Sequence, residues 1–383
     1  MSHRRPIHVC IAGTRGIPAS YGGFETFAEE LSRRLVERGY RVSVFQRHSL
    51  GSTPTDLAPF AGVERRSSWT IRNKYLETPL AALTSFISLC FQPADLVVLC
   101  NAANSPFAWI LRLRGVPVAI NVDGIERKRK KWSAIGRLWY RLGERCSVWF
   151  GSRVIADAGV IADYYRSHYS ITPAVISYGA EEVVVPPGAA HKEFGITAGG
   201  YILYVSRLEP ENNALGVIEG YQRSGVTLPL VIVGDAPYAD AYKHALRAAA
   251  ERCTSGRVHF TGFRFGEQYR ELRSNCALYI QATEVGGTHP ALLEAMAHGN
   301  CIVANDVPEH REVLGEAGEF YPFNDFTELG VTLRRLCSEE GRRKALGSLA
   351  RARARDLYSW NAVTDQYVQL ITETLSRSAE VSP

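Results

Sequence analysis

The sequence predicts an α/β protein of two parallel-sheet domains, and three observations carry that prediction. Apolar strands alternate with amphipathic helices along nearly the whole chain. Glycine-rich turns lead from strand to helix. The periodicity stops once, near the middle, in a stretch crowded with proline and glycine. Strands that read as unbroken apolar runs are buried on both faces, and helices between them mean a parallel sheet covered on each side. A length of 383 residues also suits two domains.

The first unit is explicit. "IHVCIAG" is a buried strand and "TRGIPASYGG" a turn. "FETFAEELSRRLVERG" is an amphipathic helix with Phe24, Phe27, Ala28, Leu31 and Leu35 on one face and Gly39 as its stop. "RVSVFQR", "DLVVLC", "VPVAINV", "RVIAD" and "AVISYG" follow as strands. "LAALTSFISLCF" is too short to span a bilayer and reads as a core or interfacial helix. The break falls in "EEVVVPPGAAHKEFG", Glu181 to Gly195, which reads as the linker. The pattern then restarts with "YILYVS", "LPLVIVGD", "RVHFTGF", "ALYIQA", "CIVAN" and "GEFYPF". In the tail, Trp360, Val363, Tyr367 and Ile371 share a helical face. The expected organisation is a first domain over 1–183, a second over 184–356, and a helical tail over 357–383 that packs back on the first. Ligands bind at the carboxyl edges of such sheets, so a cleft between the two domains is the expected site.

Composition narrows the function. The chain is 46% hydrophobic and 22% charged, with a net charge of +5, far from the balance of a dedicated nucleic-acid binder. Eight scattered cysteines without a CxxC pair argue for packed, reduced thiols and a cytoplasmic setting, with neither disulfides nor zinc. No DxD, HExxH or His/Cys cluster suggests a metal, no GxSxG a serine nucleophile, and no GxGxxG a dinucleotide.

Four segments could carry chemistry. In "ATEVGGTHPALLEAMAHGN", Ala282 to Asn300, a glycine turn opens a helix. Pro290 suits the first helical position, with Thr288 or His289 before it as cap. Amides at such a turn, around Gly286, Gly287 and Thr288, together with the positive end of the helix, favour a phosphate. Glu294 lies one turn inside, where a carboxylate can accept from the hydroxyls of a ribose, or else lie on a solvated face. In "YVSRLEPENN", Arg207 ends a strand, placed to meet a diphosphate or to pair with Glu209 or Glu211. In "AGTRGIPASYGGFET", Gly22 and Gly23 precede a helix, so that a ligand can approach the backbone closely, unless the loop is merely flexible. In "INVDGIERKRKKW", Asp123 ends a strand close to Glu126, where it could orient or deprotonate an acceptor hydroxyl or simply cap the next helix. The cations Arg127 to Lys131, interleaved further on with Trp132, Ile135, Leu138, Trp139 and Tyr140, fit a solvated helix face and a surface-lying amphipathic segment equally.

Together, "GTRGIPASYGGFE", "DGIERKRKKW", "SRLEPENN" and "VGGTHPALLEAMAHG" resemble the GT-B glycosyltransferases of family 4. Within that family the chain looks like a subgroup containing bacterial rhamnosyltransferases of capsule and cell-wall polysaccharide synthesis, its first half similar to the domain of unknown function 1972. The resemblance covers nearly the whole chain and implies two Rossmann-like domains facing across a cleft. The second would bind a nucleotide-diphosphate sugar, dTDP-rhamnose before a UDP- or GDP-sugar, and the first a saccharide acceptor. Arg207 then matches the diphosphate-binding arginine, Glu294 the ribose-binding glutamate, and Gly22 and Gly23 the loop that approaches the donor phosphate. Arg15, Tyr21, Asp123 and Glu126 fall on the acceptor side. Family members retain anomeric configuration and need no metal; the nucleotide sugar is a co-substrate, and no other cofactor is implied.

Two departures stand out. Asn212 occupies the position of a lysine usual in the family, five residues after Arg207. Gly286 stands eight residues before Glu294, where no acid fills the place of the family's first glutamate; Glu284 could contact the donor sugar only if the turn is longer. The basic, aromatic segment after Asp123 suggests a lipid-linked acceptor and peripheral contact with the inner membrane face. The competing readings are a sugar-nucleotide epimerase of the same architecture and a non-catalytic nucleotide-sugar-binding module; a dehydrogenase lacks its fingerprint.

Overall fold

The structure is a computed structural model that describes residues 5–19, 22–49, 56–73, 76–129, 132–236 and 240–381, with side chains to 378. Tyr21, Lys130 and Lys131 lie outside the described residues. Two compact units are present. The first comprises Met1–Lys128, Trp132–Gly179 and Trp360–Pro383; the second comprises Arg129–Lys131 and Ala180–Ser359. The division falls at Gly179 and Ser359, where the sequence suggested 183 and 356.

The first unit holds a seven-stranded sheet of β1 (His8–Ala12), β2 (Arg41–Ser49), β3 (Glu64–Thr70), β4 (Leu96–Cys100), β5 (Val118–Asn121), β6 (Arg153–Ala156) and β7 (Ala174–Val175), in the order β3-β2-β1-β4-β5-β6-β7. The second holds β8 (Ile202–Val205), β9 (Leu230–Val233), β10 (Val258–Gly262), β11 (Leu278–Gln281), β12 (Ile302–Asn305) and β13 (Glu319–Tyr321), in the order β10-β9-β8-β11-β12-β13. Every pairing in the two sheets is parallel. The central strands are buried along their length, as apolar runs such as Val9–Ala12 and Leu96–Cys100 require. The strand missed in the sequence is β3, "ERRSSWT". It is an edge strand whose charged and hydroxyl residues mask the period, and Arg66, Ser68 and Thr70 are the ones that turn inward.

The order of each sheet reverses once. In the first unit the chain winds outward from β1 to β3 and then restarts at β4 on the other side of β1. In the second it winds from β8 to β10 and restarts at β11 beside β8. Loops leaving the carboxyl ends of β1 and β4, and of β8 and β11, therefore part in opposite directions and leave a crevice, the place where open α/β sheets bind ligands. The glycine loop of the first half follows β1. Arg207 follows β8, and the turn before Glu294 follows β11.

The tail helix Trp360–Val381 counts in the first unit. Trp360, Val363, Tyr367 and Ile371 are all buried, and the Tyr367 ring lies 5.4 Å from that of Phe27 on the first helix, Gly23–Glu37. Gly179 is required here, because a Cβ would stand 2.4 Å from the Trp360 ring.

Candidate functional site

In the second unit the two lips of the crevice are built from side chains that hold backbone. After β8 the chain turns at Ser206. Gly234 permits this, since a Cβ there would stand 1.8 Å from the Ser206 carbonyl oxygen at a φ of +134°. The Arg207 carbonyl oxygen accepts from the Glu209 amide at 2.7 Å and from Asn212 Nδ2 at 2.8 Å. The Arg207 side chain is about one-third exposed, and its guanidinium stands 3.9 Å from Glu209, too far for a tight pair. Asn212, expected to contact the donor, is buried and donates to the main chain of Arg207.

The opposite lip hangs on three asparagines. Asn213 and Asn305 both donate to Asn324 Oδ1 at 2.9 Å and also reach the Ala282 carbonyl oxygen at 2.9 and 3.4 Å. Asn324 Nδ2 donates in turn to Glu284 Oε1 at 3.0 Å. Asn213 and Asn324 take left-handed backbone, with φ of 64° and 55°, a conformation asparagine tolerates best among residues with a side chain. The Glu284 amide bonds the carbonyl oxygen of Glu211, whose own side chain is fully buried with Arg129 at 3.9 Å. These bonds stitch the lip after β11 to the lip after β8.

The helix of the opening motif is Pro290–Ala297, with Pro290 at its first position as the sequence implied. His289 is its N-cap residue, but its ring does not cap. The Nε2 atom meets Thr283 Oγ1 at 3.0 Å, and Thr283 meets His310 Nε2 at 3.1 Å. His310 Nδ1 lies 2.8 Å from the Asn305 carbonyl oxygen, so it carries the proton and leaves Nε2 to accept. Gln281 Nε2 donates to Thr283 at 2.7 Å and reaches His310 Nε2 at 3.3 Å. Thr283 thus has a single proton between two ring nitrogens: given to His289 Nε2 it leaves the His289 proton on Nδ1, and given to His310 Nε2 it has His289 donate from Nε2. Burial, the His310 ring, and the charges of Arg129 and Arg207 hold His289 well below the ordinary histidine range. Gly286 lies flat on that ring, where a Cβ would come within 2.5 Å of it. Thr288 is buried.

Glu294 has partners that the sequence did not announce. Arg273, buried on the helix Gly266–Ser274, pairs with its carboxylate, and Tyr269 donates its hydroxyl to Oε2 at 3.0 Å. The guanidinium also lies over the Tyr269 ring, 4.1 Å from its centroid. Arg273 and Tyr269 are four apart on one helix face, which is the signal that could have found them. The solvated-face alternative for Glu294 is ruled out by this pairing.

In the first unit the glycine loop is gripped by two acids of the following helix. Buried Glu25 accepts from the Arg15 amide at 2.8 Å, and Glu29 accepts from the Ala19 amide at 2.6 Å. The Arg15 side chain turns to Glu77 at 3.4 Å. Gly13 must be glycine, because a Cβ would stand 2.3 Å from the Cys100 carbonyl oxygen at a φ of +92°. Gly22 is extended, and a Cβ there would meet only Glu25 at 3.5 Å, so local packing does not demand glycine at this position. Gly23 begins the helix.

Asp123 follows β5 with a φ of 56°. Its amide donates to Asn121 Oδ1 at 3.1 Å, and its carboxylate accepts from the Tyr178 hydroxyl at 3.2 Å. Tyr178 packs edge-on against Phe24 and Phe27, which ties Asp123 to the start of the glycine-loop helix. Glu126 accepts from the Trp132 indole at 3.4 Å. The basic, aromatic segment divides: Lys128, Ile135 and Leu138 are exposed, whereas other members of it turn inward. Arg127 turns inward to Glu144 at 3.0 Å and to the Tyr164 hydroxyl at 2.6 Å, Arg129 is buried, and Trp139 donates to the Ala103 carbonyl oxygen. Among the described residues no three His, Cys, Asp or Glu side chains are grouped to hold a metal, and no helix is long and apolar enough to cross a membrane.

Comparisons with known proteins agree with this division. The family described as "Glycosyl transferase 4-like domain" matches residues 22–179, and "Glycosyl transferases group 1" matches residues 199–339. The O-antigen chain mannosyltransferase B of Escherichia coli is 25% identical over 174 residues, 44% of this chain and 45% of that protein; the match thus spans less than half of the relative. Sucrose-phosphate synthase from Thermosynechococcus elongatus superposes with a TM-score of 0.81 at 19% identity, over 98% of this chain and 100% of that one. Anabaena Alr3699/HepE in complex with UDP-glucose superposes with a TM-score of 0.75 at 17% identity, over 97% and 100%. Two Rossmann-like α/β units make up the chain.

Proposed function

The chain belongs to the glycosyl transferases in both of its halves, with the GT-B fold, and from that premise we propose that it moves a sugar from a nucleotide-diphosphate donor to a saccharide hydroxyl. The observation that carries this reading is the pairing of Arg207 with the turn 282–289 on the two lips of the β8–β11 crevice, inside the segment that matches the group 1 family. Arg207 meets the diphosphate, the leaving group. The amides of Gly286, Gly287 and Thr288 share its charge. Glu294, steadied by Arg273 and Tyr269, accepts from the ribose, while Glu284 on the Asn324 clamp faces the sugar. Catalysis is positioning and charge stabilisation, and no cofactor beyond the co-substrate enters.

On the acceptor side, Asp123 takes the proton of the attacking hydroxyl, with Glu126 on the same loop and Arg15 on the loop after β1 as acceptor contacts and the Gly22–Gly23 backbone approaching the donor phosphate. Transfer proceeds with retention and without a metal. The donor favoured by the subgroup resemblance is dTDP-rhamnose. The acceptor is a lipid-linked saccharide of a surface polysaccharide, a reading to which the O-antigen relative lends support.

The test is a panel of dTDP-, UDP- and GDP-sugars with membrane-extracted acceptors, read as nucleoside diphosphate release and labelled product. Acceptor-dependent release from one donor, undiminished by EDTA, is expected, and NMR of the product reads the anomeric configuration. Conversion of the donor to an isomeric nucleotide sugar without acceptor would make it an epimerase. Donor binding without turnover would make it a binding module.

A further inference from the structure

The first unit carries an exposed face that transfer does not use. The helix Ala134–Phe150 is about 25 Å long. Its inner side packs closely on the loop after β4, where Gly143 is required because a Cβ would stand 2.4 Å from the Ala102 carbonyl oxygen. Its outer side shows two parallel ranks. Ile135, Leu138, Leu142 and Trp149 form one, exposed by 78, 66, 40 and 58%. Arg137, Arg141 and Arg145 form the other, spaced by four, all exposed.

The face continues onto the neighbouring helices. Arg112 donates to the Trp149 carbonyl oxygen at 3.0 Å and ties to the end of Ala134–Phe150 the helix Trp109–Leu113, whose Trp109 and Leu113 are also exposed. Arg114 donates to the Cys90 carbonyl oxygen at 2.9 Å at the end of the helix Glu77–Phe91, where Phe91 is 82% exposed. Eight of the nineteen large apolar side chains exposed among the described residues lie on these three helices, so the exposure is concentrated. Soluble surfaces rarely gather apolar side chains in this way without a partner.

The charge is one-sided. Of the two acids on the three helices, Glu77 is paired with Arg47 and Glu144 is buried against Arg127. Arg112, Arg114 and Arg137 spend hydrogen bonds on carbonyl oxygens, which neutralise nothing, and none of the five arginines is paired with a described carboxylate. An apolar rank with aromatic members beside unneutralised arginines matches a bilayer surface bearing anionic headgroups. A second copy of the chain would bring like charges together across a symmetric contact.

We propose that the exposed face of Ala134–Phe150, extended by Trp109–Leu113 and the end of Glu77–Phe91, docks the protein on an anionic lipid bilayer. The apolar rank enters the headgroup boundary and the arginines meet lipid phosphates. This moves the membrane contact from the Arg127–Lys131 run to the outer face of the next helix. It sharpens the lipid-linked acceptor reading but stands on separate observations.

The experiment is flotation of the purified full-length chain on vesicles of phosphatidylcholine alone and of phosphatidylcholine with about one third phosphatidylglycerol. The wild type floats with the anionic vesicles and is released by salt. Leu138→Glu/Trp149→Glu and Arg141→Glu/Arg145→Glu each cut flotation by roughly tenfold or more, with unchanged thermal unfolding. Phe323→Glu/Leu349→Glu, in the second unit, floats like the wild type. Equal flotation on neutral vesicles, full flotation of Leu138→Glu/Trp149→Glu, or a wild-type dimer that this double substitution dissolves would each overturn the proposal. Transfer to a soluble acceptor is read separately, so a failure here leaves the transfer reading intact.

Discussion

Asn212 donates its side-chain amide to the carbonyl oxygen of Arg207 at 2.8 Å. Five residues after the arginine, the chain thus contributes a brace for the arginine's backbone where the family resemblance implies a second cation. With one fewer charge at the proposed diphosphate, more of the leaving-group stabilisation falls on Arg207. Arg207→Ala should lower kcat by about 100-fold or more, in line with loss of a group that meets charge developing in the transition state. Asn212→Ala keeps the charge but frees the carbonyl, and should cost kcat/KM about tenfold, roughly one hydrogen bond. Steady-state kinetics with the active donor distinguishes the two. Normal turnover of Arg207→Ala would remove this residue from the mechanism.

Arg273 is buried against Glu294, so the acid has two jobs. Glu294→Ala strands a buried guanidinium and should destabilise the second unit by about 3–5 kcal/mol. Glu294→Gln keeps an acceptor for the Tyr269 hydroxyl and should be the milder change in unfolding. Both variants should raise the donor KM if Glu294 also holds the ribose. Thermal unfolding and donor KM measured on the pair separate the roles: a drop in stability with an unchanged KM would leave Glu294 purely structural.

The sheets were legible in the sequence because buried parallel strands are apolar throughout, and only the polar edge strand β3 escaped. The positions of Arg207, Asp123 and the turn before Glu294 were legible for a similar local reason, as each follows a recognisable strand. Their partners were not. Asn324 reaches Glu284 from forty residues away, and His310 reaches Thr283, in the loop after β11, from the helix Pro308–Leu314. Such contacts are set by which strands lie side by side, and no local period encodes that. Within the basic run, Arg127 and Arg129 were illegible for the converse reason: charge in a sequence does not say which way a side chain turns, and Glu144 draws Arg127 inward while Lys128 stays exposed.

The His310 ring is fully buried, and burial pushes its pKa down from 6.5 to about 4. The unfolded chain therefore takes up a proton that the folded chain refuses. Stability is complete above pH 6.5 and falls as pH drops toward 4, by up to about 3 kcal/mol from this residue. His289 adds a loss in the same direction. Thermal unfolding of the wild type should fall steadily between pH 7 and 4.5, and His310→Asn should flatten that slope. Parallel slopes in the two proteins would assign the acid sensitivity elsewhere.

Asp123 offers a clean test of the proposed base, because its backbone limits what can replace it. At a φ of 56°, alanine would be strained, whereas asparagine accepts that conformation readily. Asparagine also keeps a carbonyl oxygen for the Tyr178 hydroxyl. Asp123→Asn thus removes a negative charge and a proton acceptor with little else disturbed. It should lower kcat by about 100-fold, the ordinary worth of a positioned general base, with donor KM and unfolding temperature close to wild type. Tyr178→Phe, which removes the hydroxyl but leaves the ring on Phe27, should cost much less, since it loosens the carboxylate without removing the proton acceptor. A kcat for Asp123→Asn within a factor of two of wild type would show that the acid only fastens the strand end to Tyr178.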